Sequence, residues 1–232
     1  MIIKGFEKLS LVDYPGYICT TVFTQGCNMR CPFCHNKDLV LGSNCSTYED
    51  EFFAHLQKRK NMLDAVCITG GEPTLQKDLL QFINRIKLYG IKIKLDTNGL
   101  NPELLEIIIR DKLVDYIAMD IKNSPSKYNL TAGLTEDLQI IDKINFSINL
   151  LKENHIPYEF RTTVVDELHN SEDFKSIALW LEGASSYYLQ PYKYSENQLS
   201  SESFSFPSAS KITEYRNILL QKLKKVEIRG DV

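Results

Sequence analysis

A chain of 232 residues with 43% hydrophobic and 25% charged residues has the composition of a globular protein and is long enough to bury a sizeable core. A formal net charge of -3 argues against bulk nucleic-acid binding, and no apolar run approaches the ~20 residues needed to span a bilayer. The first residues lack the layout of a signal peptide, so the expectation is a cytoplasmic protein with neither nucleic acid nor membrane as partner.

The predicted elements follow in chain order. Gly5 to Gly16 reads as an irregular lead-in closed by a Pro15-Gly16 turn. Tyr17-Ile18-Cys19-Thr20-Thr21-Val22-Phe23 reads as a buried strand. A helix starts near Thr47-Tyr48-Glu49-Asp50 and runs to about Arg59. Strand candidates at 65–69, 91–96, 116–121, 158–164 and 187–190 then alternate with helix candidates at 76–89, 102–111, 137–153, 172–182 and 208–223. Leu79, Phe82, Ile83 and Ile86 recur at helical spacing and mark a core-facing stripe. Such alternation predicts a parallel sheet with right-handed crossovers. The chain holds six strand–helix units, and a full eight-unit barrel takes ~250 residues. The expected fold is therefore α/β, a partial (β/α)6 TIM-like barrel in a single domain over 1–232, with a short last strand at 226–229. The serine-rich stretch 195–210 reads as a solvated, mobile loop, with a lid as its functional alternative.

In parallel barrels the chemistry sits at the carboxyl ends of the strands. Cys27, Cys31 and Cys34 follow the first strand, Thr69-Gly70-Gly71-Glu72-Pro73 the second, and Asp96-Thr97-Asn98-Gly99 the third. Asp120 and Lys122 end the fourth strand, Arg161 lies on the fifth, and Gln190-Pro191-Tyr192-Lys193 follows the sixth. Polar or glycine-rich turns are ordinary singly; their recurrence at successive strand ends is not. Closely spaced thiolates can share one inorganic centre. Zinc takes four protein ligands, whereas a cubane iron–sulfur cluster held by three cysteines keeps one iron open for a ligand. A Cys3His zinc site using His35 is the alternative, although His35 directly follows Cys34 and adjacent ligands suit one tetrahedral ion poorly. Gly70-Gly71 lets backbone approach a ligand, Glu72 can accept from an ammonium group, and Lys122 and Arg161 can face a carboxylate. Cys19 and Cys67 lie in apolar runs and read as core thiols, and Cys45 as an exposed one.

The CxxxCxxC spacing resembles that of the radical S-adenosylmethionine (radical SAM) superfamily. Asp13-Tyr14-Pro15-Gly16, Cys34-His35-Asn36, Gly70-Gly71-Glu72-Pro73, Asp96-Thr97-Asn98-Gly99 and Met119-Asp120-Ile121-Lys122 further resemble the glycyl-radical-enzyme activating enzymes. The resemblance is greatest to the activating proteins of anaerobic ribonucleoside-triphosphate reductase, in the branch similar to pyruvate formate-lyase activating enzyme. It runs from Lys4 to Arg229, with no room for an inserted ferredoxin-like domain.

This resemblance implies a [4Fe-4S] cluster on Cys27, Cys31 and Cys34, whose open iron takes the amino and carboxylate groups of S-adenosylmethionine (SAM). It places Phe33 beside the adenine, Gly70, Gly71 and Glu72 at the methionine end, and Asp96, Asn98, Asp120, Lys122 and Arg161 along the rest of the cofactor. It also implies a monovalent cation near Asp96, Thr97 and Asp120, and sets Asp13 against the target loop. The implied activity is reductive cleavage of SAM and removal of hydrogen from a glycine Cα of a partner enzyme, foremost class III anaerobic ribonucleotide reductase. A flavodoxin or ferredoxin would donate the electron. The alternatives are a pyruvate formate-lyase-type activase, a radical SAM enzyme acting on a peptide or small molecule, and a zinc scaffold without turnover. One departure stands out: Lys193 occupies the place of a histidine in the activating-enzyme pattern.

Overall fold

The structure, a computed structural model, describes residues 1–42, 47–135, 138–153 and 155–230. Cys45 lies outside the described residues. Eight strands take their chain order in one sheet: β1 (Ile3–Ser10), β2 (Cys19–Thr24), β3 (Ala65–Gly70), β4 (Lys92–Thr97), β5 (Tyr116–Asp120), β6 (Tyr158–Val164), β7 (Tyr187–Pro191) and β8 (Val226–Ile228). The helices are α1 (Lys37–Leu41), α2 (Glu49–Arg59), α3 (Leu79–Lys87), α4 (Pro102–Arg110), α5 (Tyr128–Ala132), α6 (Leu138–Lys152), α7 (Ser171–Trp180) and α8 (Ala209–Leu220). The alternation of strand and helix from β2 onward is the α/β class expected from the sequence. Among the described residues no helix is long and apolar enough to cross a membrane.

The lead-in is the first correction. Ile3–Ser10 forms a strand antiparallel to β2, with Ile3 opposite Thr24 and Ser10 opposite Cys19. Two register shifts, between Ile3 and Gly5 and between Glu7 and Ser10, break the period-two alternation that would have marked it.

The chain divides into two compact units. The first comprises Met1–Asn28, Asp38–Ala118 and His155–Pro157. Its strands β2, β3 and β4 pair in parallel, Thr21 beside Cys67 and Cys67 beside Lys94. Phe52, Phe53 and Phe82 meet ring to ring at 5.1–5.4 Å, and Leu79, Ile83 and Ile86, which are fully buried, complete the predicted stripe with Phe82. Asn101 caps α4 by accepting from the Leu104 N–H, with Pro102 as the first helical residue. Cys19 and Cys67 are buried core thiols, as expected.

The second unit comprises Met29–Lys37, Met119–Asn154 and Tyr158–Val232. In it β6, β7 and β8 pair in parallel, so the short last strand exists as predicted. Asn170 and Asp173 form a capping box at the start of α7. Phe174 of α7 stacks on Tyr215 of α8 with centroids 4.3 Å apart, and Tyr128 meets Trp180 edge-on at 5.9 Å.

Candidate active site

The candidate residues fall into two sets, one in each unit. In the first unit the glycine turn after β3 packs backbone on backbone. Gly70 has φ +118, a conformation L side chains rarely adopt, and a Cβ on Gly71 would overlap the Gly26 carbonyl oxygen. The Gly71 N–H donates to Thr24 O at 2.9 Å and the Glu72 N–H to Gly26 O at 2.7 Å. The glycine turn therefore clamps the chain immediately before Cys27.

Glu72 is fully buried and its carboxylate is already engaged by protein donors. Oε1 accepts from the Thr74 N–H at 3.0 Å, the Thr74 hydroxyl at 2.6 Å and the Thr97 hydroxyl at 2.8 Å. Oε2 accepts from the Asn98 N–H at 2.7 Å. Burial pushes this carboxyl above its usual range, and the hydrogen bonds pull against that shift. The sequence reading of Glu72 as an acceptor for a ligand ammonium thus meets a side chain that joins the turn after β3 to the turn after β4. Asn98 in turn reaches the cysteine loop: its Nδ2 donates to Asn28 Oδ1 at 2.7 Å and lies 3.9 Å from Cys27 Sγ.

Two further carboxylates of this unit have partners. Asp96 Oδ1 is 2.5 Å from Lys94 Nζ, and the Lys94 side chain is only 1% exposed. Asp13 Oδ2 accepts from the Thr21 hydroxyl at 2.6 Å, in a loop whose Leu11 and Val12 are exposed.

In the second unit the loop carrying Cys31 and Cys34 is held on two sides by main-chain bonds. The Arg30 N–H donates to Ala132 O, at the end of α5, at 2.9 Å, and Cys31 Sγ lies 3.7 Å from the same oxygen. Gly133, with φ +62, ends that helix, and a Cβ there would overlap the Arg30 carbonyl. On the other side Leu199 N–H donates to Cys34 O at 2.9 Å and Ser200 N–H to Pro32 O at 3.1 Å. Gln198 is buried; it accepts from the Tyr192 hydroxyl at 2.5 Å and donates to Ser200 O at 3.0 Å and Glu202 O at 2.7 Å. Within the segment read as a solvated loop Gln198 is the exception, buried and bonded to the segment's own carbonyl groups, while Asn197, Ser201 and Glu202 are exposed as expected. Lys193 also finds a role: its main-chain carbonyl bonds the His35 ring, which packs on Tyr192 at 5.2 Å. Burial lowers the His35 pKa. Phe33 is buried.

Asp120, Lys122 and Arg161 form one ionic group. Arg161 Nε donates to Asp120 Oδ1 at 2.6 Å and Lys122 Nζ to Oδ2 at 2.8 Å. Burial alone would raise the Asp120 carboxyl, but the charges of Arg161 and Lys122 outweigh it and hold the carboxyl well below its usual range. Burial likewise works against the Lys122 ammonium, which Asp120 holds well above its usual range.

Among the described residues, no three Cys, His, Asp or Glu side chains are gathered as a metal site. The donor chemistry nonetheless fits a cluster: three thiols are spaced by four and three residues in the sequence, Cys27 follows a segment clamped by the Gly70-Gly71 turn in the first unit, and Cys31 and Cys34 lie on a loop held by peptide groups in the second. Sequence reasoning passed over Thr74, Asn28, Gln198 and Lys94. Only Thr74, two residues beyond Glu72, carried a signal, because Ser and Thr commonly serve such local turns.

Residues 21–181 match the model of the Radical SAM superfamily, and the chain belongs to that superfamily. It is thus an enzyme of radical chemistry, with a four-iron, four-sulfur cluster and SAM as the cofactors its family implies. Its relatives include a Methanocaldococcus jannaschii protein that carries the name of a glycyl-radical enzyme activating enzyme, 37% identical over 194 residues, 83% of this chain and 80% of that one. The pyruvate formate-lyase-activating enzyme of Listeria monocytogenes is 34% identical over 151 residues, 60% of each chain. The fold is similar to that of a radical SAM methyltransferase from Sphaerobacter thermophilus, with a TM-score of 0.75 over 93% of this chain and 67% of that one at 18% identity.

Proposed function

We propose that this enzyme installs a glycyl radical on a partner protein in the cytoplasm, foremost a class III anaerobic ribonucleotide reductase, working as a single radical SAM domain without an inserted ferredoxin-like domain. The observation that carries the reading is the 37% identity to an activating enzyme by name over 83% of the chain. The partner preference rests on the run from Gly5-Phe6 through Asp13-Tyr14-Pro15-Gly16 and on Lys193, where the activating-enzyme pattern has histidine. The similarity to a pyruvate formate-lyase-activating enzyme favours that lyase as the second reading.

The chain's own residues would divide the work. Cys27, Cys31 and Cys34 hold the cluster. Gly70, Gly71, Phe33 and Asn98 shape the SAM site, and Glu72 fixes two of its turns. Asp120 holds the Lys122 and Arg161 cations ready for a carboxylate. Asp13, with exposed Leu11 and Val12 beside it, meets the partner loop. The chemistry supplied by the bound cofactors is one-electron cleavage of the sulfonium and hydrogen-atom abstraction from a glycine Cα, with flavodoxin or ferredoxin as electron donor. We do not extend the proposal to a monovalent cation, because Asp96 and Asp120 already face Lys94, Lys122 and Arg161.

The test mixes anaerobically reconstituted protein, reductant and SAM with each candidate partner and records the electron paramagnetic resonance spectrum. A glycyl doublet on the reductase is the expected result. A doublet only on the formate-lyase moves the second reading into first place. SAM cleavage with no doublet on either partner overturns the activase reading. Cys31→Ala should remove the cluster and Cys45→Ala should retain it; equal loss in both would overturn the three-cysteine assignment.

A further inference from the structure

We propose that Lys94 is a built-in counter-ion to Asp96, its ammonium supplying the positive charge that the family resemblance assigns to a monovalent metal cation, so that this enzyme needs none. The inference rests on SAM binding by the family and not on which partner is activated.

Lys94 and Asp96 lie two residues apart on β4 and so project from one face of it. The Lys94 side chain is 1% exposed, and its Nζ reaches Asp96 Oδ1 at 2.5 Å and lies 3.9 Å from Cys67 Sγ on the neighbouring strand. Desolvating an ammonium is costly unless a carboxylate and hydrogen bonds compensate it, and Asp96 supplies both. The other groups expected to coordinate a cation are also committed. The Thr97 hydroxyl donates to Glu72 Oε1 at 2.8 Å and accepts from the Gly99 N–H at 3.2 Å. The two Asp120 oxygens face Arg161 at 2.6 Å and Lys122 at 2.8 Å. An alkali ion ligated by Asp96 or by Asp120 would therefore sit close to a fixed positive charge of the same sign. The residues present do not fit a bound alkali ion; they supply its charge from side chains.

The experiment compares potassium, sodium, ammonium and tetramethylammonium salts at one ionic strength. It reads the thermal unfolding midpoint of the full chain and the equilibrium dissociation constant for SAM of the reconstituted protein. The wild type should show the same midpoint and a dissociation constant within about twofold in all four salts. Lys94→Met keeps an unbranched apolar stem one atom shorter and leaves Asp96 without its counter-charge. Its SAM affinity should fall about tenfold or more in tetramethylammonium and recover largely with potassium or ammonium, which can enter the vacated place. A wild type that needs potassium or sodium overturns the proposal, as does a folded Lys94→Met variant indifferent to the salt. Should the variant fail to fold, the wild-type comparison decides. Should the protein bind no SAM in any salt, the cofactor reading fails separately, and the unfolding midpoints still decide the counter-ion.

Discussion

The Glu72 carboxylate and the Asn98 N–H meet at 2.7 Å, and this bond joins the turn after β3 to the turn after β4. Asn98 carries the link on to Asn28, next to Cys27. A residue read from the sequence as a ligand contact is thus also the fastener of two loops.

Replacing Glu72 with alanine should therefore cost stability as well as SAM affinity. Four donors lose their acceptor, and unsatisfied buried groups cost about 1–3 kcal/mol each before relaxation. Urea unfolding of Glu72→Ala should show a loss of roughly 2–4 kcal/mol, with iron content after reconstitution largely kept. Unchanged stability would mean that the network carries no weight.

Gly71→Ala should be far more damaging than Gly5→Ala. The first places a Cβ into the Gly26 carbonyl, a backbone group that cannot swing away, while a Cβ on Gly5 meets nothing within 4 Å. Overpacking of this kind costs about 1–3 kcal/mol, against roughly 0.5 kcal/mol or less for the control. Denaturation midpoints and iron content of the two variants check the contrast, since the displaced segment leads directly into Cys27.

Asp120 should impose an acid limit on the fold. Its carboxyl is held below the ordinary value of 3.8, so its stabilising effect is complete above that value and is lost as pH falls through the depressed folded value. Asp120→Asn should remove roughly 2–4 kcal/mol at pH 7, because Lys122 and Arg161 lose their counter-charge. Stability of the variant should also depend less on pH below about 4 than that of the wild type. Parallel wild-type and variant curves across that window would contradict the assignment.

Gln198→Ala should loosen the segment that rests on Pro32 and Cys34. The variant leaves the Tyr192 hydroxyl and the Ser200 and Glu202 carbonyls without their partner. Cleavage between residues 195 and 210 in limited proteolysis should quicken, with a stability loss of about 1 kcal/mol. A cleavage rate equal to the wild type would show that the glutamine does not hold the segment.

The strands β2 to β7 and the stripe on α3 were legible because burial imposes a period, and the period survives in one chain's sequence. Ile3–Ser10 was not, since its two register shifts erase the period. The order of residues at the strand ends gave the candidate set, because a parallel sheet sends its carboxyl ends to one side. What each side chain does there was less accessible. Glu72 and Thr97 are 25 positions apart, and nothing local announces that one will accept from the other. Lys94 reads like any lysine on a strand until its 1% exposure is known. Residues 197–202 look solvated by composition and Asn197, Ser201 and Glu202 are exposed, but nothing local announces that Gln198 among them is buried.

The anchors at Arg30, Pro32 and Cys34 are all peptide groups, bonded to Ala132, Ser200 and Leu199. A path fixed through main chain is indifferent to the side chains strung along it. The exposed position Arg30 can consequently be exchanged in a library while Cys31 and Cys34 keep their route, which makes it a mutable surface on a fixed track.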